Sequence, residues 1–263
     1  MRSILLLILV FLMGCVATFN PITPQKLTGP ELAKQLTNET VALVFIVPSK
    51  NTKWNDKVYV FCTGVYVSET TILSAAHCIQ GYAHMASSKK ETEAEEAKMI
   101  EIPTHMRIPF SVPSEIVAPG RYPKTKPHMA EVIYSNSRQD LALLRVVKDD
   151  TLPTHSFVKL AKTNPPVGAK VEAMGNIERQ YFSYREGVVS AYRETMQYAG
   201  EKDIDGPFLQ ASILIYKGDS GGPLVDDVGG LLGIASFVNV EAAGIAYYIH
   251  RETIGSVLKA NDI

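Results

Sequence analysis

Short apolar runs separated by polar turn segments form the main pattern of this chain, and most of these runs are rich in Val, Ile, Tyr and Phe. β-branched and aromatic residues in such runs favour strands. The predicted strands cover residues 41–47, 58–67, 71–73, 131–134, 141–147, 170–173, 187–192, 223–225, 231–238 and 244–249. Many short strands with little helix predict an all-β protein built from closed barrels, with a short C-terminal helix at 251–259.

Composition excludes several classes of protein. Of the 263 residues, 46% are hydrophobic and 20% are charged, and the formal net charge is -1. These values do not fit an intrinsically disordered chain or a surface that binds polyanions, so nucleic acid is not an expected partner. The length suits one large all-β domain with an ample core.

The N-terminus has the pattern of a secretory signal, with Arg2 followed by an apolar run over residues 4–13. A helix over that run would be about 15 Å long, half the thickness of a bilayer core, so a stable transmembrane span is not expected. Leu-Met-Gly-Cys at 12–15 resembles the bacterial lipoprotein box. The resemblance implies a signal peptide over residues 1–14 and a lipid anchor on Cys15; an ordinary cleaved signal peptide or an uncleaved anchor is the alternative.

The residue after that cysteine bears on localisation. Val16 stands where an Asp would retain a lipoprotein at the inner membrane, so the resemblance implies the bacterial cell envelope, on the periplasmic face of the outer membrane if the host has two membranes. Residues 15–40 contain three prolines and are predicted to form a tether with one short helix near 31–36. Residues 41–263 are the predicted folded domain.

Three separated segments supply the side chains of an activated hydroxyl nucleophile. Ser220 lies in Gly-Asp-Ser-Gly-Gly-Pro at 218–223, His77 ends an apolar run just before Cys78, and Asp140 opens the aliphatic run 141–144. A serine hydroxyl needs a base within hydrogen-bond reach and donors that stabilise the oxyanion formed on attack. Glycines beside the serine let successive amides point into one concavity, so the amides of Gly218 and Ser220 are the predicted oxyanion hole.

Each segment has a simpler interpretation when it is taken alone. The glycine-rich string fits a turn, the histidine fits a core residue, and the aspartate fits a cap. However, a carboxylate at the start of an interior strand requires a partner, and an imidazolium would supply it. The joint occurrence of all three segments therefore favours catalysis.

The chain order His77, Asp140, Ser220 and the residues around them resemble the chymotrypsin-like serine proteases. The resemblance implies two six-stranded antiparallel Greek-key β-barrels with the site in the cleft between them. It also implies that His77 is the general base, that Asp140 orients the imidazole and that Ser220 attacks the scissile carbonyl. Peptide hydrolysis of this kind requires no cofactor.

Further segments resemble one branch of that family, the periplasmic high-temperature-requirement (HtrA-like) proteases. They lie at 130–146, 175–176 and 187–190, so the similarity covers most of residues 41–250. That branch usually carries PDZ domains after the protease. The stretch after Ser220 is too short for one, so regulation through such a module is not expected.

The family resemblance also suggests a disulfide between Cys62 and Cys78, which would hold the segment that carries the base against a neighbouring strand. A closed loop of this size would stabilise the fold by about 3 kcal/mol and would imply an oxidising compartment. Two buried free thiols are the alternative.

An ungapped alignment with the family predicts the substrate-binding residues, namely Leu214, Lys217, Ser236, Phe237, Val238 and Gly244. Leu214 falls at the base of the primary pocket, where an apolar residue would leave a substrate cation unpaired. We therefore expect a small or medium aliphatic residue before the scissile bond. The backbone of 236–238 is expected to pair with an extended substrate, and the Ser236 hydroxyl to support Asp140.

A long segment at 84–128 resembles an insertion. Its charged run 89–98 fits a solvated helix or loop, and a lid is the alternative. His84, His105 and His128 lack the spacing of metal ligands, so no metal site is predicted.

Several alternatives remain open at this level. The chain could be a catalytically silent protein that binds peptides through the same fold, or an esterase that uses the same triad. Asp219 needs a partner, for which a Lys, an Arg or a backbone amide would serve; otherwise the oxyanion hole would form only on assembly or substrate binding. The sequence does not decide whether the protein forms a homo-oligomer.

Overall fold

The structure is a computed structural model that describes residues 25–47, 57–87, 105–113, 127–177, 180–196, 204–238 and 244–263. Its helices are α1 (Gly29–Glu39), α2 (Ala76–Ser87) and α3 (Arg251–Ala260). Its strands are β1 (Thr40–Val47), β2 (Lys57–Ser68), β3 (Thr71–Ala75), β4 (Arg107–Ser111), β5 (His128–Asn136), β6 (Leu141–Val146), β7 (Lys159–Leu160), β8 (Lys170–Ile177), β9 (Gln180–Met196), β10 (Ile204–Ser212), β11 (Pro223–Val225), β12 (Gly230–Val238) and β13 (Ile245–His250). The predicted all-β class is confirmed.

The first six strands form a closed antiparallel barrel in the order β1, β2, β3, β6, β5, β4. Strand β6 shows why its sequence is a continuous apolar run. Ala142 and Leu144 point into the barrel, whereas Leu141 and Leu143 point outward into a second apolar cluster shared with the rest of the chain. Both faces of the strand are therefore buried, and neither tolerates polar side chains.

The remaining strands form a seven-stranded sheet in the order β11, β8, β9, β10, β13, β12, β7. Because β11 also pairs with β12, strands β8, β9, β10, β13, β12 and β11 follow one another around a closed ring. Strand β7 lies outside this ring, parallel to β12. This second ring agrees with the two barrels implied by the family resemblance, and the parallel strand β7 is an addition to them.

One apolar cluster joins the two barrels and the C-terminal helix. Leu73 and Leu143 of the first barrel pack in the same cluster as Phe208 and Ile249 of the second. Helix α3 contributes Ile254, among others, from its buried face. Burying this cluster fixes the barrels against each other, and the cleft between them is where side chains from both can meet.

Helix α1 is longer than the short helix predicted within the tether. Thr28 caps its N-terminus, where Glu31 accepts a hydrogen bond from the Thr28 amide at 2.8 Å in a capping box. Leu32 and Leu36, one turn apart, are buried against Met174 and other residues of the second barrel. The tether prediction therefore needs correcting from Gly29 onward, because this amphipathic helix packs on the domain.

Some predictions lie outside the described residues, among them the signal segment 1–14, Cys15 and the charged run 89–98. No helix within the described ranges is long and apolar enough to cross a membrane. Strands β4, β7 and β10 and helix α2 were not predicted. Strand β4 lies inside the segment interpreted as an insertion, which therefore supplies one strand of the first barrel.

Candidate active site

His77 and Asp140 are joined directly. His77 is the second residue of helix α2, which begins where strand β3 ends, and Asp140 immediately precedes β6, the strand beside β3. The His77 Nδ1 atom lies 2.9 Å from Asp140 Oδ2, and the His77 amide donates to Asp140 Oδ1 at 2.9 Å. The carboxylate therefore fixes both the ring and the backbone of the histidine.

The Asp140 side chain is nearly fully buried and has a further donor, the hydroxyl of Ser236 on β12 of the second barrel. The Asp140 backbone accepts a hydrogen bond from the Ala76 amide at 3.0 Å and has a φ of 50°, in the left-handed region where Asp is enriched. Three donors, the amide and Nδ1 of His77 and the hydroxyl of Ser236, thus surround this carboxylate, so its burial is compensated.

The electrostatic balance at His77 favours its protonated form. Burial lowers the pKa of the imidazole, but the charge of Asp140 and the hydrogen bond to it outweigh that effect, so the pKa of His77 lies above its ordinary value of 6.5. Because Nδ1 faces Asp140, Nε2 is the ring nitrogen left to exchange protons with another group.

Ser220 lies on the loop between β10 and β11, and two glycines set the shape of this loop. Gly218 has a φ of 100° and Gly221 a φ of 82°, both in the region that favours glycine. A Cβ on Gly221 would also lie 2.2 Å from the Thr63 carbonyl oxygen. Within the described part of the chain, the amides of Gly218 and Ser220 donate to no other group, as expected of hole donors that await a ligand.

The Ser220 loop and His77 both lie beside a disulfide between Cys62 and Cys78. One ring nitrogen of His77 lies within 4.8 Å of both sulfurs, and Cys78 Sγ lies 3.7 Å from the Ser220 carbonyl oxygen. Among the described residues, nothing hydrogen-bonds the Ser220 hydroxyl. Such bonds are often long in sites without substrate and shorten when substrate binds.

Arg185 of strand β9 is the partner of Asp219, which the sequence left undecided. Its Nη1 and Nη2 donate to the two carboxylate oxygens at 2.6 and 2.8 Å, and the Tyr216 amide donates to Asp219 Oδ2 at 2.8 Å. The Asp219 side chain is 2% exposed and that of Arg185 is 14% exposed. Gly175 makes room for the pair, because a Cβ there would lie 2.2 Å from Asp219 Oδ1. This bidentate pair holds Asp219, and with it the loop before Ser220, in place.

No local pattern in the sequence indicates the role of Arg185. It lies 34 residues before Asp219, in strand β9. In the sequence alone, a charged residue in such a strand fits a position that faces solvent just as well as one that faces Asp219. The available signal was Asp219 itself, because a carboxylate in a buried loop requires a cation or several hydrogen-bond donors.

The predicted substrate-binding residues lie between β10 and β11, in β12, and just before β13. Phe237 stacks on Tyr247 with ring centroids 4.9 Å apart, and Val238 pairs with Ala246 in the same sheet. Gly244 accepts a hydrogen bond from the Ile213 amide at 3.0 Å, beside Leu214.

Exposure differs among these residues. Leu214 is 53% exposed, and Lys217 is also exposed. No described atom lies within 4 Å of where a Cβ on Gly244 would be. The apolar side chain of Leu214 is therefore available to a ligand, although it is not a fully buried floor.

Of the three histidines in the segment 84–128, His128 is buried, and its Nδ1 lies 2.6 Å from Asp149 Oδ2. His105 is exposed and contacts Glu131. The one group with metal-ligand spacing among the described residues is Cys62, His77 and Cys78, whose two sulfurs are bonded to each other.

A family model for the trypsin-like peptidase domain matches residues 62–234. A probable periplasmic serine endoprotease DegP-like of Halomonas elongata is 31% identical over 115 residues, which are 44% of this chain and 23% of that protein. The serine protease Do-like HtrB of Bacillus subtilis is 28% identical over 137 residues, which are 51% of this chain and 28% of that protein. The chain thus spans about a quarter of the length of these curated relatives.

Among solved structures, the chain is similar to the Rv3671c protease of M. tuberculosis in its active form. The TM-score is 0.62 at 18% identity, and the similarity covers 87% of this chain and 82% of that one. At this identity the likeness concerns the fold, and it supports the arrangement of two barrels around a cleft.

Proposed function

The chain belongs to the trypsin-like peptidase family, and we propose that it is a serine endopeptidase that cleaves protein or peptide substrates through an acyl-enzyme on Ser220. The observation that carries this proposal is the joined pair His77–Asp140 beside a glycine-shaped serine loop, whose amides at Gly218 and Ser220 donate to no group among the described residues. Packing alone does not require this combination of a buried carboxylate, a partly exposed imidazole and free amides.

The reaction follows from the positions of these groups. The Ser220 hydroxyl oxygen attacks the substrate carbonyl carbon, and its proton passes to Nε2 of His77. Asp140 stabilises the resulting imidazolium, in line with the raised pKa of His77. The carbonyl oxygen becomes an anion that the amides of Gly218 and Ser220 bind.

The later steps reverse the proton transfer. His77 gives its proton to the leaving amine nitrogen as the carbon–nitrogen bond breaks, which leaves an ester on Ser220. A water molecule then attacks the ester carbon and loses a proton to His77. The imidazolium returns a proton to the serine oxygen, the acid product leaves, and the enzyme regains its starting state.

The surroundings of the serine support a preference for a small or medium aliphatic residue before the scissile bond. Leu214 offers an apolar surface, and no acid is present from Ala211 to Lys217 to pair with a substrate cation. In the described part of the sheet, the pairing of β12 with β11 ends at Ile234, whereas its pairing with β13 continues to Val238. The backbone of residues 236–238 thus lies beyond the pairing with β11, which supports its pairing with an extended substrate.

Localisation in the bacterial cell envelope fits three observations. The two curated relatives include one named periplasmic, the disulfide suits an oxidising compartment, and the N-terminal sequence resembles a lipoprotein signal. We extend the proposal to a lipid anchor on Cys15. A labelled fatty acid supplied to the cells should be incorporated into the wild-type protein and not into the Cys15→Ala variant.

A serine-directed fluorophosphonate tests the activity, with the full chain as the sample. We expect covalent labelling that Ser220→Ala abolishes, whereas Ser256→Ala, at an exposed serine on helix α3, leaves labelling unchanged. Correctly folded protein that is not labelled would favour a silent peptide-binding protein. Hydrolysis of simple esters without cleavage of an unfolded protein or a peptide library would instead favour an esterase, and the library also reports the pocket preference.

A further inference from the structure

Thr63 lies in β2 of the first barrel and is fully buried, yet its polar groups are directed at the serine loop of the second barrel. Its amide donates to the Ser220 carbonyl at 2.8 Å, and its hydroxyl donates to the Gly218 carbonyl at 2.7 Å. Its own carbonyl accepts a hydrogen bond from the Ser74 hydroxyl at 2.7 Å. One residue of the first barrel therefore contacts both residues whose amides form the predicted oxyanion hole.

The direction of the Thr63 hydroxyl is determined by Asn176 of β8. The Asn176 amide and side-chain Nδ2 both lie within hydrogen-bond reach of Thr63 Oγ1, at 3.2 and 2.9 Å. A hydroxyl has one proton and two lone pairs. With two donors directed at its oxygen, the remaining proton has one acceptor, the Gly218 carbonyl. The side-chain oxygen of Asn176 is itself occupied, since it accepts from the Phe182 amide at 3.0 Å.

These contacts bear on the shape of the hole because peptide groups are planar. Fixing the Gly218 carbonyl fixes the peptide plane between 218 and 219, and fixing the Ser220 carbonyl fixes the plane after the serine. Gly218, at a φ of 100°, has no side chain that would restrict its own backbone. Its conformation must therefore be held by contacts from other residues. Thr63 supplies them by binding the Gly218 and Ser220 carbonyls, which lie on either side of the Ser220 amide.

On this basis we propose that Thr63 is a positioning residue for the oxyanion hole: its hydroxyl keeps Gly218 and Ser220 in the conformation that binds the oxyanion. The inference rests on the proposed peptidase function. It adds that Thr63, in the barrel that carries His77, sets the geometry of the loop in the other barrel that carries Ser220. It predicts an effect on transition-state binding that exceeds any effect on ground-state binding.

The test compares Thr63→Val with Thr63→Ser in the full chain. Valine keeps the shape of threonine but cannot donate to Gly218, whereas serine keeps the hydroxyl. We expect Thr63→Val to lower kcat by about 10- to 100-fold, somewhat less than the loss of a direct hole donor, with KM little changed. Thr63→Ser should recover most of the lost rate. Thr40→Val is the matched control, because the buried Thr40 hydroxyl of β1 has no hydrogen-bond partner in the described part of the chain, and we expect it to leave kcat unchanged.

Inhibitor binding separates a positioning role from a merely structural one. A peptide boronate forms a tetrahedral adduct that uses the hole, whereas the same peptide without the boronate binds only in the substrate groove. In Thr63→Val the affinity for the boronate should fall by the factor lost in kcat, while the affinity for the plain peptide stays the same. Equal losses for both ligands, or an unchanged kcat, would overturn the inference.

Folding of the variants is followed by thermal unfolding, and Thr63→Ala provides a second variant without the hydroxyl. If neither Thr63→Val nor Thr63→Ala folds, Thr63 is an ordinary contact between barrels and the inference is wrong. Wild-type protein that hydrolyses no peptide would instead contradict the proposed function, so the two failures are distinguishable.

Discussion

The two halves of the site are held in different ways. His77 and Asp140 bind each other directly, and the strands that carry them, β3 and β6, are hydrogen-bonded neighbours in one barrel. The serine loop is instead held by side chains outside itself, Arg185 of β9 in the same barrel and Thr63 of β2 in the other barrel. The half with the proposed base, His77 and Asp140, is therefore held mainly by two adjacent strands of one barrel. The half with the proposed nucleophile, the Ser220 loop, depends on contacts within its own barrel and with the first barrel. We refer to them as the base half and the nucleophile half.

The largest effect is expected in the base half, from Asp140→Asn. The amide cannot stabilise the imidazolium or hold the ring in the same tautomer, so kcat should fall by about 10⁴-fold. Substituting the carboxylate removes the two influences that raise the pKa of His77 and leaves the burial that lowers it. Activity requires neutral His77 and so rises with pH through this pKa.

The pH dependence of kcat/KM checks that explanation. In the wild type, the acidic limb should have its midpoint above 6.5, and in Asp140→Asn the midpoint should move to lower pH. A variant that kept the wild-type midpoint would show that Asp140 does not set the proton affinity of the base.

In the nucleophile half, Arg185→Met should have the next largest effect. It leaves the carboxylate of Asp219 buried without its cation, which costs about 3 to 5 kcal/mol of stability. The loop then loses its anchor, and kcat should fall by about 10²- to 10³-fold, as when a hole donor is removed. Steady-state kinetics and denaturant unfolding measure the two effects separately.

The double variant Arg185→Met with Asp219→Asn sharpens this prediction. Removing both charges abolishes the desolvation cost, so stability should return toward that of the wild type. The bidentate contact is still missing, so kcat should recover less than stability does. If kcat and stability return together, the Arg185–Asp219 pair only stabilises the fold, and the proposed difference between the two halves of the site is weakened.

This difference between the halves also explains how much the sequence could predict. His77, Asp140 and Ser220 each lie in a short string whose local chemistry is visible, and the strand 223–225 was predicted with the bounds that the structure has. Arg185 and Thr63 lie in ordinary strand sequences. The role of Arg185 arises only when the second barrel closes, and that of Thr63 only when the two barrels pack. Pairing across a long sequence separation is a tertiary property that propensity and spacing do not encode.

The missed elements have a related cause. Helix α2 contains His77 and Cys78, which were interpreted through the disulfide and the catalytic motif rather than through helical spacing. Strand β4 contains Pro109 within Arg-Ile-Pro-Phe-Ser, and a proline weakens a strand prediction. The structure places β4 beside β1 and β5.

The disulfide adjoins both halves, since Cys78 follows His77 and Cys62 precedes Thr63. Replacing both cysteines with alanine should lower the free energy of unfolding by about 3 kcal/mol, because the bond closes a loop with a sequence separation of 16. The hydrogen bonds of His77 and Thr63 remain, so kcat should change less than in the variants above. Denaturant unfolding checks the first expectation and peptide hydrolysis the second. A loss of kcat as large as that of Arg185→Met would show that the disulfide directly positions residues of the site.

The smallest effect on activity is expected from Glu39→Gln, which lies in neither half of the site. Glu39 is 2% exposed at the end of helix α1, and burial raises its pKa to about 7 against the hydrogen bonds of Gln35 and Ser156, which lower it. The raised pKa means that the fold favours the protonated carboxyl, whose stabilising contribution is complete below about 4.5 and is lost as the pH rises through about 7.

Glutamine stays neutral at every pH and has nearly the same shape. Glu39→Gln should therefore match the wild type at pH 4 and exceed its stability above pH 7 by up to about 3 kcal/mol, while kcat stays the same throughout. Unfolding and peptide hydrolysis measured across this range provide the check. A stability change of this size without a change in rate would show that the losses expected from Asp140→Asn and Arg185→Met come from the site geometry, and a parallel change in rate would show that activity simply follows the stability of the fold.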